Sequence, residues 1–375
     1  MTRTRPVALT IAGSDPSGGA GIQADILTLS SLGCHPLTVL TALTVQDTAG
    51  VESLHPVDPE TVERQARLLL EDMPVAAFKV GVLGSVENVV VVAEIVSDYP
   101  EVPLVFDPVL ASGRGDEFSS DDMLSAIREL LLPQTTLLTP NTPEARRLAE
   151  RDDDEGEPDA AECARRLIEM GVQNVLVTGT HENTTQVVNQ LFGDGGVVRR
   201  DRWERLPGSF HGSGCTLASA IAACIANGAG LEDAVRDAQD YTWQTLANAF
   251  RPGMGQFIPD RLFWALWNSA NTISTLGDLN TLNQDQKWFM IGAMFTLVTV
   301  GGFAISHLTG IISASDLTTY REYRRVERQL ARLSGHVLVA GYGGFGRRVA
   351  NLMRTRGHTV VVLEFEQDRA AGEHH

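Results

Sequence analysis

Val7-Ala8-Leu9-Thr10-Ile11-Ala12-Gly13-Ser14-Asp15-Pro16-Ser17-Gly18-Gly19-Ala20-Gly21 is the stretch that decides the fold. It opens as a short apolar run closed by a glycine, the mark of a buried strand, and Ile22 to Leu32 then reads as a helix. The alternation repeats along the chain. Helices are expected at Glu60 to Glu71, Val86 to Ser97, Asp121 to Leu131, Ala160 to Met170 and Leu231 to Phe250. Between them fall apolar runs at Ala77 to Val82, Leu104 to Phe106, Thr136 to Leu138 and Val175 to Val177. Strands alternating with helices predict an α/β fold: a parallel sheet with helices on both faces and ligand groups at the carboxyl ends of the strands.

At 375 residues the chain is long for one domain. Its formal charge of -17 argues against nucleic acid or an anionic membrane as partner for the bulk of the protein. The charge is unevenly spread: residues 269-375 hold 11 Lys/Arg and 9 Asp/Glu, leaving 19 and 38 for residues 1-268. Two differently composed pieces therefore meet near Asn268. The four cysteines, Cys34, Cys163, Cys215 and Cys224, have neither metal-ligand spacing nor the density of a disulfide scaffold, which fits a reducing cytosol. No signal peptide is read at the start, so the first piece is expected in the cytoplasm.

The motifs fall where the sheet rule puts them. The loop from Gly13 to Gly21 lacks the Lys-Ser/Thr ending of a Walker loop, so its glycines suit close backbone approach to a small ligand. Asp25 on the following helix and Gln46 after Thr41 to Val45 are expected to face the same pocket; Gln46 offers a donor and an acceptor to the edge of a heteroaromatic ring. Asp107 stands at a strand end, and Asn141 with Glu144 follows the next. An acid and an amide there can order the water shell of a magnesium ion holding nucleotide phosphates; the same Asn141 and Glu144 can equally be a helix cap with an acidic first turn. Further on, Gly212-Ser213-Gly214-Cys215 opens an apolar, alanine-rich helix, a socket for an anion in which the thiolate of Cys215 should be stabilised and can serve as a base.

The segments AGSDPSGGAGIQAD (12-25), TALTVQDT (41-48), FKVGVLGS (78-85), FDPV (106-109), TPNTPEA (139-145) and HGSGCTLASAIAA (211-223) together resemble the hydroxymethylpyrimidine/phosphomethylpyrimidine kinases of thiamine biosynthesis, a ribokinase-like family. The resemblance covers residues 1-268. It implies ATP and magnesium as cofactors, a homodimer, and transfer of phosphoryl groups to 4-amino-5-hydroxymethyl-2-methylpyrimidine and then to its monophosphate. It places Gly13, Asp25, Gln46, Val82 and Val109 around the aminopyrimidine. It gives Asp107, Asn141, Glu144, Thr178 and Gly179 to ATP and phosphate, with Asp107 and Glu144 serving magnesium, directly or through water. Gly212, Ser213 and Gly214 become the anion hole and Cys215 the base. One departure is visible: many members carry Lys-Gly-Gly-His where this chain has Thr178-Gly179-Thr180-His181, which removes a cation from the nucleotide side. A pyridoxal kinase makes similar demands on such a pocket and is the alternative within the fold.

The second piece reads differently. Trp288 to Ile312 is a 25-residue run without formal charge, long enough to cross a bilayer, with a buried core helix as the other reading. Thr272 to Asp278 resembles a degraded potassium-channel filter, and Arg321, Arg324, Arg325, Arg328 and Arg332 decorate a linker helix. His336 to Ala340 then forms a strand ending in Gly341-Tyr342-Gly343-Gly344-Phe345-Gly346, with a helix at Arg347 to Arg356, a strand at Thr359 to Leu363, and Glu364 placed to grip a ribose 23 residues beyond Gly341. This piece resembles the pore-to-regulator junction of a potassium channel with a TrkA-N-like domain, cut after its first β-α-β unit. It carries the rival reading of the chain as a transport subunit, and with it a membrane association through 288-312. The arginines beyond the span set a topology opposed to a cytosolic kinase, so one crossing does not satisfy both pieces. The domains expected are 1-268, 269-334 and 335-375.

Overall fold

The computed structural model describes residues 5-111, 118-151, 154, 156-182, 184-261, 300, 303, 304, 306, 324, 327 and 334-363. The contacts divide the chain into two units, Met1–Gly277 and Asp278–His375.

The first unit runs β1 (Val7–Ala12), α1 (Gly21–Ser31), β2 (His35–Leu40), β3 (Ala42–Gln46), β4 (Val51–Pro56), α2 (Pro59–Asp72), β5 (Ala77–Val80), α3 (Val86–Ser97), β6 (Leu104–Phe106) and α4 (Asp121–Ala126). It continues through β7 (Leu137–Leu138), α5 (Thr142–Ala149), α6 (Ala160–Glu169), β8 (Val175–Val177), β9 (Gln186–Gly193), β10 (Gly196–Glu204), α7 (Ser213–Ala226) and α8 (Leu231–Ala247). Eight strands form one sheet in the order β10-β9-β8-β7-β6-β5-β1-β2.

Alternate strand residues enter different cores, which is why these strands are apolar throughout rather than apolar at every second position. Leu9, Ile11, Leu104, Phe106, Val175 and Val177 pack with α2, α3, α4, α5 and α6. Ala8, Val105 and Leu176 pack on the opposite face with α1, α7 and α8. The helices on both faces are as expected from the sequence.

The sheet itself is mixed, which corrects the expected parallel one. From β2 to β8 the pairings are parallel, but β9 runs antiparallel to β8, and β10 antiparallel to β9. A hairpin needs only a tight turn, supplied by Gly196 at φ +100°, whereas a parallel return needs a crossover. The arginines of β10 hide its strand character in the sequence. A second unforeseen element is the antiparallel pair β3–β4, a separate two-stranded sheet on which Leu43 and Val45 face outward. The helix expected from Asp121 to Leu131 is α-helical only to Ala126, then winds through a π-helical turn at Ile127–Leu131 and a 3-10 turn at Leu132–Gln134, where Pro133 cannot continue an α ladder. Helix α8 stops short of Phe250 because Phe250 pairs with Ile258 instead.

In the second unit, β11 (Val337–Ala340) and β12 (Val360–Leu363) pair in parallel around α9 (Gly344–Thr355). The glycine turn is tight: a Cβ on Gly346 would lie 1.9 Å from the Gly341 carbonyl oxygen, and Gly341 has φ +88°. Of α9 only Ala350 is buried. Glu364 and the filter-like Thr272 to Asp278 lie outside the described residues, as does the apolar run 288-312 apart from Val300, Phe303, Ala304 and Ser306. Among the described residues no helix is long and apolar enough to cross a membrane.

Candidate active site

The carboxyl ends of the parallel strands deliver the motif residues in sheet order: Gly13 after β1, Val82 after β5, Asp107 after β6, Asn141 after β7 and Thr178 after β8. Gly13 and Val82 are side by side, since a Cβ on Gly13 would sit 3.5 Å from the Val82 side chain. Gln46 ends β3 partly exposed, and Val109 is partly exposed two residues beyond Asp107.

The Gly-rich loop is folded around Asp15. Its carboxylate accepts hydrogen bonds from the N–H and hydroxyl of Ser17 and the N–H of Ala20, and it meets His211 Nε2 at 2.9 Å. Burial would raise this acid, but the His211 ring, Ser17 and Ala20 outweigh it and hold Asp15 well below the usual carboxylate range. His211 thereby ties the loop to Gly212, which enters α7 with φ +77°. The two backbones touch: a Cβ on Gly212 would lie 1.9 Å from the Gly19 carbonyl oxygen. Thr216 N–H makes the first helical bond, to Gly212 O, which leaves the N–H groups of Ser213, Gly214 and Cys215 outside the helical ladder.

The first turn of α7 lies against an acid. A Cβ on Gly214 would be 3.6 and 3.7 Å from the two oxygens of Asp107, and the Cys215 thiol lies close enough to the same carboxylate for each to shift the other's ionisation. Asp107 is buried, and its Oδ2 has no geometrically satisfied hydrogen-bond partner among the described residues. Burial raises Asp107 to about 6 against the opposing pull of Lys79. Burial likewise pushes the Cys215 thiol up to about 12; Lys79 and the Gly21 N–H oppose the shift, and Asp107 and Asp25 add to it. A helix N-terminus favours the expected thiolate, whereas loss of water and the two nearby acids favour the thiol.

Asp25 lies beneath this cluster, fully buried. Its Oδ2 is bonded to Lys79 Nζ at 2.9 Å and to the Thr10 hydroxyl, and its Oδ1 to the Ser219 hydroxyl. Lys79 is as deeply buried; burial would strip its charge, but Asp25 above all, with Cys215 and Asp107, holds it protonated. Sequence reasoning passed over Lys79, although a lysine inside the buried run Ala77 to Val80 was a visible signal.

Beyond Asp107 along the sheet edge, Asn141 and Glu144 form a reciprocal capping box at the start of α5. The cap reading of this pair is therefore the geometry, and it does not exclude a ligand role. Burial raises Glu144 to about 8, with the charge of Asp107 adding, so the two acids sense each other. Thr178 adjoins Asn141 through a bridge between strand ends, and Gly179 N–H is held by Asn189 Oδ1 at 3.1 Å. Gly179 admits no side chain, as its Cβ would lie 2.4 Å from the Val188 carbonyl oxygen. Arg205 reaches the carbonyls of Gly179, Thr180, Glu182 and Thr184, a clamp on this loop that the sequence did not reveal.

Residues 15-260 match the family model described as phosphomethylpyrimidine kinase. The hydroxymethylpyrimidine/phosphomethylpyrimidine kinase of Escherichia coli is 37% identical over 261 residues, 69% of this chain and 98% of that one. Among solved structures, a phosphomethylpyrimidine kinase from Clostridium difficile aligns with a TM-score of 0.56 at 30% identity, covering 64% of this chain and 100% of that one. A pyridoxal kinase from Staphylococcus aureus in complex with pyridoxal aligns at 0.62 with 26% identity, covering 69% and 94%.

Proposed function

The chain belongs to the phosphomethylpyrimidine kinase family, and from that premise we propose how its cleft carries out the reaction. It is a phosphotransferase of thiamine biosynthesis that phosphorylates hydroxymethylpyrimidine and its monophosphate. One observation carries the assignment of roles: the Asp107 carboxylate, the Cys215 thiol and the first turn of α7 meet at one point.

In this reading the pyrimidine alcohol lies against Gly13 and Val82, with the Gln46 amide along its ring edge and Val109 completing the wall. The N–H groups of Gly212, Ser213 and Gly214 receive the negative oxygens of the phosphoryl group in flight. Cys215 takes the alcohol proton, which requires its own proton to pass to water first; the Lys79 charge, which pulls the thiol down, favours that loss. Lys79 keeps a positive charge beside Cys215 and Asp107. The Asn141 side-chain amide and the Thr178 hydroxyl hold the nucleotide phosphates through hydrogen bonds, in place of the lysine common in the family, while Gly179, whose N–H is taken by Asn189, gives the loop the room to approach them.

The residues present fit magnesium. Asp107 offers an unsatisfied buried oxygen, and Glu144 stands near enough to feel its charge. Among the described residues no group of three or more His, Cys, Asp or Glu could hold an ion alone, so the ion would arrive with the nucleotide. When bound it would neutralise phosphate charge; Asp107 and Glu144 would hold it, directly or through water.

The test is turnover of ATP by the full chain with the pyrimidine alcohol, its monophosphate and pyridoxal in parallel. Preference for the two pyrimidines supports the reading, and preference for pyridoxal would replace it. The pyridoxal arm is included because the pyridoxal kinase fold superposes as well as the phosphomethylpyrimidine kinase does.

A further inference from the structure

Arg261, the last described residue of the first unit's continuous stretch, is 2 % exposed and is the largest side chain so buried among the described residues. A guanidinium removed from water is costly unless its donors are met. Here every acceptor among the described residues is uncharged. Nη2 donates to the Gly19 carbonyl at 2.7 Å and to the Gly212 carbonyl at 3.4 Å, and Nε and Nη2 donate to the Thr216 hydroxyl at 3.0 and 2.8 Å. Burial draws the group down from the usual guanidinium range, opposed by Tyr241, Cys215, Asp25 and Asp15.

The acceptors belong to two segments far apart in sequence. Gly19 is in the Gly-rich loop; Gly212 and Thr216 begin α7. Thr216 itself donates its hydroxyl to Gly212 O at 2.7 Å, so Arg261 holds that carbonyl both directly and through Thr216. The segments touch where Gly212 has no room for a Cβ against Gly19 O. Two backbone carbonyls brought that close to one point repel, and a planar fork of donors can satisfy both at once; a lysine ammonium on a flexible stem reproduces the charge without the fork.

We propose that Arg261 is a positioning residue for phosphoryl transfer, fixing the spacing between the loop that holds the acceptor alcohol and the helix end that holds the transferred group. The inference rests on the reading of those two segments given above. In-line transfer is sensitive to that spacing, and a displacement of about 1 Å costs roughly 100-fold in rate.

The experiment compares Arg261→Met and Arg261→Lys with the unaltered full chain. For Arg261→Met, kcat with the pyrimidine alcohol is expected to fall roughly 10- to 100-fold at unchanged KM for ATP, with Arg261→Lys between the two. Hydrogen exchange on the unliganded proteins supplies a readout that needs no substrate. The amides of Ala20 and Thr216, which donate to Asp15 and Gly212, should lose protection while Ala220 to Ala223 deeper in α7 keep theirs. Unchanged kcat with both amides still protected overturns the proposal, as does faster exchange spread evenly through α7, which would make Arg261 a general stabiliser. If Arg261→Met does not fold, Arg261→Lys carries the same comparison. Absence of turnover by the unaltered chain would fault the functional reading, while the exchange pattern still decides whether Arg261 sets the loop spacing.

Discussion

Helix α7 begins after Gly212, with φ at +77°, and helix α9 begins shortly after Gly341, with φ at +88°; each follows a glycine turn and presents free N–H groups at its first turn. Around α7 the chain has built a great deal: Thr216 to Ala223 are all buried, and Asp107, Cys215, Lys79 and Arg261 gather at its start. Around α9 the described residues build little, since Ala350 is its one buried residue and among them neither Gly343 nor Gly344 has any atom within 4 Å of where a Cβ would stand. The same local device serves both. What separates a reaction site from a turn is the set of buried polar groups converging on it, and these come from distant parts of the sequence.

The contrast can be broken most severely at Gly212. Gly212→Ala forces a side chain at positive φ into the Gly19 carbonyl, so turnover should fall by at least about 100-fold and the chain should lose on the order of 2 kcal/mol, read by steady-state kinetics and thermal unfolding. Wild-type rates would mean that the touching backbones do not set the site.

Cys215→Ala should cost roughly 100- to 10,000-fold in phosphorylation of the alcohol and distinctly less with the monophosphate, whose acceptor is already an anion. Equal losses on the two substrates would remove the thiol from proton transfer.

An effect of another kind, on the pH dependence of stability, is expected from Glu144→Gln. Because the folded carboxyl sits at about 8, above its ordinary range near 4.5, the folded chain keeps a proton that the unfolded chain releases. Stability is therefore highest below the unfolded value and declines as pH rises from about 4.5 to about 8, by on the order of 1 kcal/mol per unit of difference. Asp107, at about 6, adds the same sign over a lower window. Denaturant melts of the metal-free protein from pH 5 to 9 should show a shallower decline for Glu144→Gln; parallel curves would refute the shift.

Gly344→Ala should do nothing to turnover or melting, within about 1 °C, because its Cβ would meet only open space. A lost activity there would show that the second unit matters to the first in a way the contrast denies.

Much of this was legible in the sequence for a physical reason. Strands β1, β5, β6 and β8 announce themselves through short apolar runs, and the glycine turns through residues only a tight backbone requires; both are local signals. Asn141 and Glu144 are three residues apart, so their cap could be read as well. The raised proton affinity of Glu144 could not, because it depends first on burial and then on Asp107 in another segment. The same holds for Asp15 with His211, 196 residues apart, and Arg261 with Gly19, 242 apart. For Cys215 the local rule pointed to a thiolate, whereas burial beside Asp107 and Asp25 favours the thiol. The β9–β10 hairpin was missed because arginines at an exposed edge break the apolar pattern.

The capping box at α5 has a calorimetric consequence. One oxygen of Glu144 is committed to the Asn141 amide, and with the carboxyl at about 8 most molecules at neutral pH carry a proton there. A cation arriving on nucleotide phosphates would expel that proton into solution. The heat of nucleotide association should therefore change with the ionisation enthalpy of the buffer chosen.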